Sequence, residues 1–398
     1  MQRTAHAIDT AFASPRAVLG PRRLRVAVVS ETYPPEINGV ALTVATLTRG
    51  LHTERHDVLL IRPSQPSFAA EDQLTEELIV PGGSLPRYPA LRFGWPVYFR
   101  VRAALKRFRT DALYIAPEGP LGWAAMLAAR HLGIPVASGF HTRFDDFVGH
   151  YGLGFLRSSA FRYLRAFHNR GQATLVPTEQ LRAELCAGGF RDVRILERGV
   201  DSDLFHPSRR SGELRKLWGV ADNELAVLFV GRVAPEKNLD LTVRAFDAIA
   251  AKTPAKMIWV GDGPARAATA EHYPQHVWCG MQRGEKLAEH FASCDLFLFA
   301  SITETFGNVT LEAMASGLPT VAYAYGAAGQ HICDGIDGRT VAFNDEQAFV
   351  AVASDLASRA DERRAMGVAA RNTAQKLGPR AVSERFAAIL SELAGASA

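Results

Sequence analysis

Ser301-Ile302-Thr303-Glu304-Thr305-Phe306-Gly307-Asn308-Val309-Thr310-Leu311-Glu312-Ala313-Met314-Ala315-Ser316-Gly317 follows an apolar run at 295–300, and its periodicity changes partway along. The run before it has the character of a buried strand. From about Gly307, the residues Val309, Leu311, Ala313, Met314 and Ala315 give an apolar helical face, which Gly317-Leu318-Pro319 stops. Strand, turn and helix in succession are the unit of an open parallel sheet. Glu304 falls in the turn and Glu312 about two helical turns later, so the two carboxylates are expected to bracket whatever rests on the helix N-terminus. That end, at Phe306, Gly307, Asn308 and Val309, offers free N–H groups and a positive dipole to an anion. A diphosphate flanked by two carboxylates that grip hydroxyls has the shape of a sugar nucleotide.

The chain around this unit is 398 residues long, which predicts two domains. With 47% hydrophobic and 22% charged residues, each half can bury a core. A formal charge of +4 is too small and too dispersed for nucleic acid, although it permits contact with an acidic membrane surface. Cys186, Cys279, Cys294 and Cys333 form no C-x-x-C and do not cluster with histidines, which argues against zinc and fits a reducing cytoplasm. Residues 1–23 read as a mobile tail without a signal peptide, and no window approaches the roughly 20 apolar residues of a spanning helix. Any membrane contact is therefore expected to be peripheral, at the inner face of the cell membrane.

Working outward, residues 24–30 (LRVAVVS) open a first domain at 24–197 as a buried parallel strand. The loop after it reaches Asn38-Gly39 at the start of an amphipathic helix, where backbone comes close to a ligand. Short strands at 57–61, 77–80, 111–115, 136–139, 173–176 and 193–196, mostly separated by helical segments, predict a doubly wound α/β sheet. Residues 85–102 interleave Trp95 and other aromatics with arginines, ahead of Lys106, Arg107 and Arg109. That mixture suits either a lipid headgroup boundary or a loop with its rings packed inward. His141 falls at the carboxyl end of a strand, where open α/β sheets bind ligands, and Arg143, Asp145 and His150 would continue along the same edge as acceptor contacts. Residues 198–207 read as an interdomain linker; its Asp201-Ser202-Asp203 is not taken as a metal-binding D-x-D. A second Rossmann-like unit occupies 208–378. In it, Gly231-Arg232 and Lys237 lie between a strand and a helix, and supply the two cations that a departing diphosphate requires. Gly261-Asp262 ends the next strand at the same edge. Residues 379–398 form a closing amphipathic helix.

Glu304 and Glu312 match the E-x7-E motif, and Arg232 with Lys237 the G-R-x-x-x-x-K motif, of the retaining GT-B glycosyltransferases of family 4 (group 1). The segment Val200-Asp201 through Phe205 and Pro207 matches their hinge, and this resemblance implies an anchoring turn at Asp201. The resemblance spans about 24–395 and is closest to GDP-mannose-dependent alpha-mannosyltransferases and their glycolipid-forming relatives. It implies two Rossmann-like domains facing a cleft, the first taking the acceptor and the second the nucleotide sugar, and a last helix crossing back to the first domain. It further implies that His141 faces the donor sugar, Glu304 holds sugar hydroxyls, Glu312 holds the ribose, and the loop with Met281 and Arg283 touches the base. Most relatives carry two glycines where this chain has Asn38-Gly39. The expected activity is retaining, metal-independent transfer of a hexose, mannose from GDP-mannose being favoured, to a hydroxyl of a lipid or lipid-linked glycan. UDP-sugar-dependent glucosyl or sulfoquinovosyl transfer to diacylglycerol is the nearest rival. A sugar-nucleotide epimerase or hydrolase of the same fold is the rival from another class, although it would need an acid/base pair that the cleft motifs do not supply. A nicotinamide dehydrogenase is disfavoured because no G-x-G-x-x-G follows Val29.

Overall fold

The computed structural model describes residues 23–36, 38–65, 76–85, 88–141 and 157–396. Among the described residues there are fifteen strands: β1 (Arg25–Val29), β2 (Asp57–Pro63), β3 (Glu76–Val80), β4 (Gly82–Leu85), β5 (Tyr88–Gly94), β6 (Ala112–Ile115), β7 (Val136–Gly139), β8 (Ala173–Val176), β9 (Val193–Ile195), β10 (Leu225–Val230), β11 (Ala255–Val260), β12 (Val277–Gly280), β13 (Leu296–Phe299), β14 (Thr320–Tyr323) and β15 (Arg339–Val341). Two parallel sheets contain all but β4 and β5. Their orders are β3-β2-β1-β6-β7-β8-β9 and β12-β11-β10-β13-β14-β15.

The central strands are apolar throughout because helices cover both faces of each sheet. In β1, Val26 and Val28 enter one core cluster while Ala27 and Val29 enter another on the opposite face. In β10, Leu228 and Val230 face one cluster, Val227 and Phe229 the other. Each sheet reverses its direction of growth once, between β1 and β6 and between β10 and β13. Outside the carboxyl ends of such neighbouring strands a crevice opens, because their connections leave to opposite sides.

The helix Pro379–Ala396 packs Phe386, Ile389, Leu390 and Leu393 into the cluster that holds Val26, Val28 and Leu47, so the end of the chain lies on the first sheet. Within 85–102, read from sequence as a loop, Tyr88–Gly94 is β5, the second strand of the antiparallel β4–β5 hairpin, and Tyr98 opens the helix Tyr98–Phe108. After β14 the small residues at 326–329 begin a short helix, Gly326–His331. Among the described residues no helix is long and apolar enough to cross a membrane.

Candidate active site

At the β10/β13 crossover, the segment after β10 carries Arg232 and Lys237, and the segment after β13 carries Ser301 and Glu304. Lys237 Nζ forms an ion pair with Glu304 Oε1, both side chains being largely covered. Ser301 Oγ ties the pair together, donating to Glu304 Oε1 at 2.8 Å and accepting from Lys237 at 3.3 Å. Tyr325 holds the same turn from the next strand, its hydroxyl donating to the Glu304 carbonyl at 2.7 Å. Arg232, more open, lies 3.3 Å from Glu236. Both cations thus rest against carboxylates that an incoming anion would have to displace or share.

The helix begins at Asn308 after Gly307, whose φ of +91° is left-handed backbone that favours glycine. Glu312 stands about one helical turn inside the helix and Glu304 lies in the turn before it, as the strand–turn–helix reading of the sequence expects. Burial pushes the Glu312 carboxyl up to about 7. Val309 and Asn308 are half-buried at the helix mouth. The Phe306 side chain is buried in the core, with its ring 5.8 Å from that of His331. Its carbonyl accepts from Ala327 N at 2.6 Å. Only the backbone at this position borders the site.

Beside this turn the ends of β10, β11 and β12 each finish on or reach a glycine. Gly261, with φ +137°, lies so close to Gly231 that a Cβ would sit 1.9 Å from the Gly231 carbonyl oxygen. The missing side chain at Gly261 is what allows the two loops to lie side by side, whereas a Cβ on Gly231 would meet only the Phe229 ring at 3.6 Å. Asp262, Met281 and Arg283 follow on the same edge and are exposed. Gly39 opens the helix Gly39–Thr53 after β1, with Asn38 capping it through a bond from Ala41 N, and a Cβ on Gly39 would meet nothing within 4 Å. Thr178, Leu181 and Glu184 of the first unit face Glu304, Thr305 and Gly326 across a small cleft. Gln330 ties the two units together nearby, accepting from Glu179 N at 3.0 Å and donating to Glu197 at 2.9 Å.

His141, at the end of β7, is buried, and both its ring nitrogens are engaged: Nε2 with the Tyr114 hydroxyl at 2.8 Å and Nδ1 with Arg198 at 2.5 Å. The ring expected to offer a hydrogen bond to the sugar is therefore committed to protein partners in this state. Burial, followed by Arg198 and His168, pushes its pKa well below the usual histidine range. Trp95 is exposed at the end of β5. Arg143, Asp145 and His150 lie outside the described residues, as do positions 1–22 of the expected tail.

Sequence reasoning missed Tyr114, Arg198 and a cluster at the first sheet's β1/β6 crossover. There Glu31 accepts from Gly94 N at 2.5 Å and Gly122 N at 3.1 Å, while Glu118 Oε2 lies 3.8 Å from His168 Nε2. Burial pushes Glu31 and Glu118 up to about 7 and His168 down to about 3. Acidic residues immediately after the apolar runs 25–29 and 112–115 were the available signal. Asp201 Oδ1 accepts from Asp203 N and Leu204 N, which makes it a turn anchor. Among the described residues no group of three or more His, Cys, Asp or Glu could hold a metal.

Two family models match the chain: Glycosyltransferase Family 4 over residues 37–204 and Glycosyl transferases group 1 over 224–359. A GDP-mannose-dependent alpha-mannosyltransferase of Mycobacterium tuberculosis is 34% identical, over 75% of this chain and 79% of that one. The chain belongs to the family 4, group 1 glycosyltransferases. Further from this glycosyltransferase, the sulfoquinovosyl transferase SQD2 of Arabidopsis thaliana is 27% identical over 95% of the chain and 75% of its own length. An alpha-monoglucosyldiacylglycerol synthase of Streptococcus pneumoniae is 26% identical over 75% of the chain and 71% of its own length. The crystal structure of Anabaena HepE with UDP and glucose superposes with a TM-score of 0.74 at 19% identity, over 93% of this chain and 100% of that one. The glycosyltransferase therefore has the two-lobed GT-B fold and is a hexosyltransferase.

Proposed function

We propose that this glycosyltransferase moves mannose from GDP-mannose, with retention and without a metal, to a hydroxyl of a lipid or lipid-linked glycan. The nucleotide sugar would bind to residues 208–378 and the acceptor to residues 24–197. The observation that carries the reading is the Lys237–Glu304–Ser301 group at the β10/β13 crossover, beside Arg232 and the helix that opens at Asn308. Cleaving the bond between the sugar C1 and the diphosphate develops negative charge on the leaving oxygen. Two fixed cations and a helix N-terminus stabilise that charge in place, which is the work a metal does elsewhere. Lys237 then turns from Glu304 toward phosphate, releasing the carboxylate to hold sugar hydroxyls. Glu312 grips the ribose, Met281 and Arg283 border the base, and Gly39 and Gly261 let backbone approach the donor. His141 lines the sugar face. The acceptor hydroxyl attacks from the same face, and its proton passes to the leaving phosphate oxygen.

Mannose is supported by the relatives at 33–34% identity, each a GDP-mannose-dependent alpha-mannosyltransferase. A lipid acceptor at an acidic membrane is supported by the helix Tyr98–Phe108. It buries Val101, Ala104 and Leu105 and leaves Phe99, Arg102 and Lys106 exposed along one face, with Arg109 exposed at its C-cap and Trp95 exposed just before it. Aromatic and basic side chains on one helical face suit an anionic headgroup layer.

Thermal stabilisation by GDP against UDP tests the donor. A nucleotide at 100 times its dissociation constant adds about 2.7 kcal/mol, and GDP is expected to give the larger shift. Equal or greater stabilisation by UDP would favour a UDP-sugar donor instead. Donor consumption is expected to require added acceptor and to survive chelator; acceptor-independent conversion would point to a hydrolase or epimerase.

A further inference from the structure

Arg198 lies just past β9, in the segment that leaves the first sheet for the second. Its Nη2 donates to His141 Nδ1 at 2.5 Å, while the opposite ring nitrogen meets Tyr114. A guanidinium can only donate, so Nδ1 must present its lone pair and the neutral ring must carry its hydrogen on Nε2. Burial pushes Arg198 down only to about 10, so it remains a cation at working pH. The space is equally determined: a Cβ on Gly139 would stand 2.2 Å from the Tyr114 hydroxyl and 2.3 Å from His141 Nε2. Tyr114 in turn rests edge-on against Phe386 of the helix Pro379–Ala396, ring centres 4.9 Å apart. The linker therefore reaches this histidine directly through Arg198, and the last helix reaches it indirectly through Tyr114. In contrast to Lys237 with Glu304 and Arg232 with Glu236, Arg198 hydrogen-bonds no carboxylate among the described residues.

We propose that Arg198 is a positioning residue for glycosyl transfer, holding the His141 ring from the linker as the neutral Nε2–H tautomer at the face of the transferred sugar. The inference rests on the placement of His141 given above. Without Arg198 the ring can take either tautomer and can protonate. The titratable groups that face it are Tyr114 from β6, His168 from the helix Arg157–His168 and Arg198 itself. Removing Arg198 takes away one of the influences that keep the ring neutral, so the acidic limb of the rate profile moves to higher pH.

The test uses full-length protein labelled with 15N-histidine, the His141 signals being assigned with H141N. The wild-type ring is expected to keep an unprotonated Nδ1 and a protonated Nε2 between about pH 5 and 8. In Arg198→Gln the tautomers should mix and kcat should fall about 10–100-fold, while nucleoside diphosphate affinity, set by Arg232, Lys237 and Glu312, stays within about twofold. Retained nucleotide binding also shows that the variant is folded. Arg198→Lys, which keeps a donor and a charge, should recover part of the rate. Wild-type kcat in Arg198→Gln, or mixed tautomers without loss of rate, would overturn the proposal. Loss of nucleotide affinity in parallel with kcat would also overturn it, by making Arg198 a diphosphate ligand. Full activity in H141N would instead overturn the placement of His141, whatever Arg198 does.

Discussion

Glu312→Gln should strengthen the empty protein and weaken its hold on nucleotide, two effects of opposite sign from one atom pair. Burial raises the Glu312 carboxyl from 4.5 to about 7. Below about pH 4.5 the group is protonated in both the folded and the unfolded chain, so Gln and Glu should be equivalent. As pH rises, the unfolded chain releases its proton first while the folded one holds it, and stability declines until the folded group ionises near pH 7. Above that the deficit is constant. The gap from 4.5 to about 7, at about 1.36 kcal/mol per factor of ten, amounts to at most about 3 kcal/mol, less whatever partial solvation removes. The difference in Tm between variant and wild type, measured from about pH 4 to 8.5, should thus grow from zero to a plateau in favour of Gln. Taking the difference is essential, because neutral buried His141 and His168 shift stability in the opposite sense over part of the same range. Calorimetry on the same pair should show a nucleotide affinity for wild type that falls about tenfold per unit below pH 7 as the carboxylate is lost. In Gln the affinity should be weak and flat with pH. A Tm lower for Gln at pH 8.5, or equal affinities at that pH, would refute the reasoning that a buried anion is kept here for ribose hydroxyls.

Lys237→Met removes the cation beside Glu304, and the loss of a charged hydrogen bond of about 1.5–3 kcal/mol should lower kcat about 10- to 150-fold. Circular dichroism should be unchanged, and wild-type turnover would remove Lys237 from the chemistry. Replacing Phe99 by Ser and Lys106 by Glu should abolish sedimentation with vesicles containing anionic phospholipid while leaving nucleotide affinity unchanged. Undiminished vesicle binding would detach the helix Tyr98–Phe108 from the membrane.

Local patterning was enough for what depends on contiguous residues. The strand–turn–helix at 295–317, the two-sided apolar strands β1 and β10, and the position of Arg232, Lys237 and Glu304 at strand ends all follow from periodicity and spacing, because an element buried on both faces has no polar positions to spare. The left-handed backbone that Gly307 takes just before its helix is one the sequence permits without requiring. The hairpin at β4–β5 was illegible, since its prolines and aromatics fit a loop equally well and its pairing is a contact between strands. The rest of the site arises between segments far apart in the chain. Tyr114, His141 and Arg198 meet only when β6, β7 and the linker are brought together, and Glu31 meets Gly94 and Gly122 only across the β1/β6 crossover. Sequence supplies the charges and the glycines that let backbone approach; which charge faces which partner, and how far burial moves its proton, is set by the packing of the folded chain.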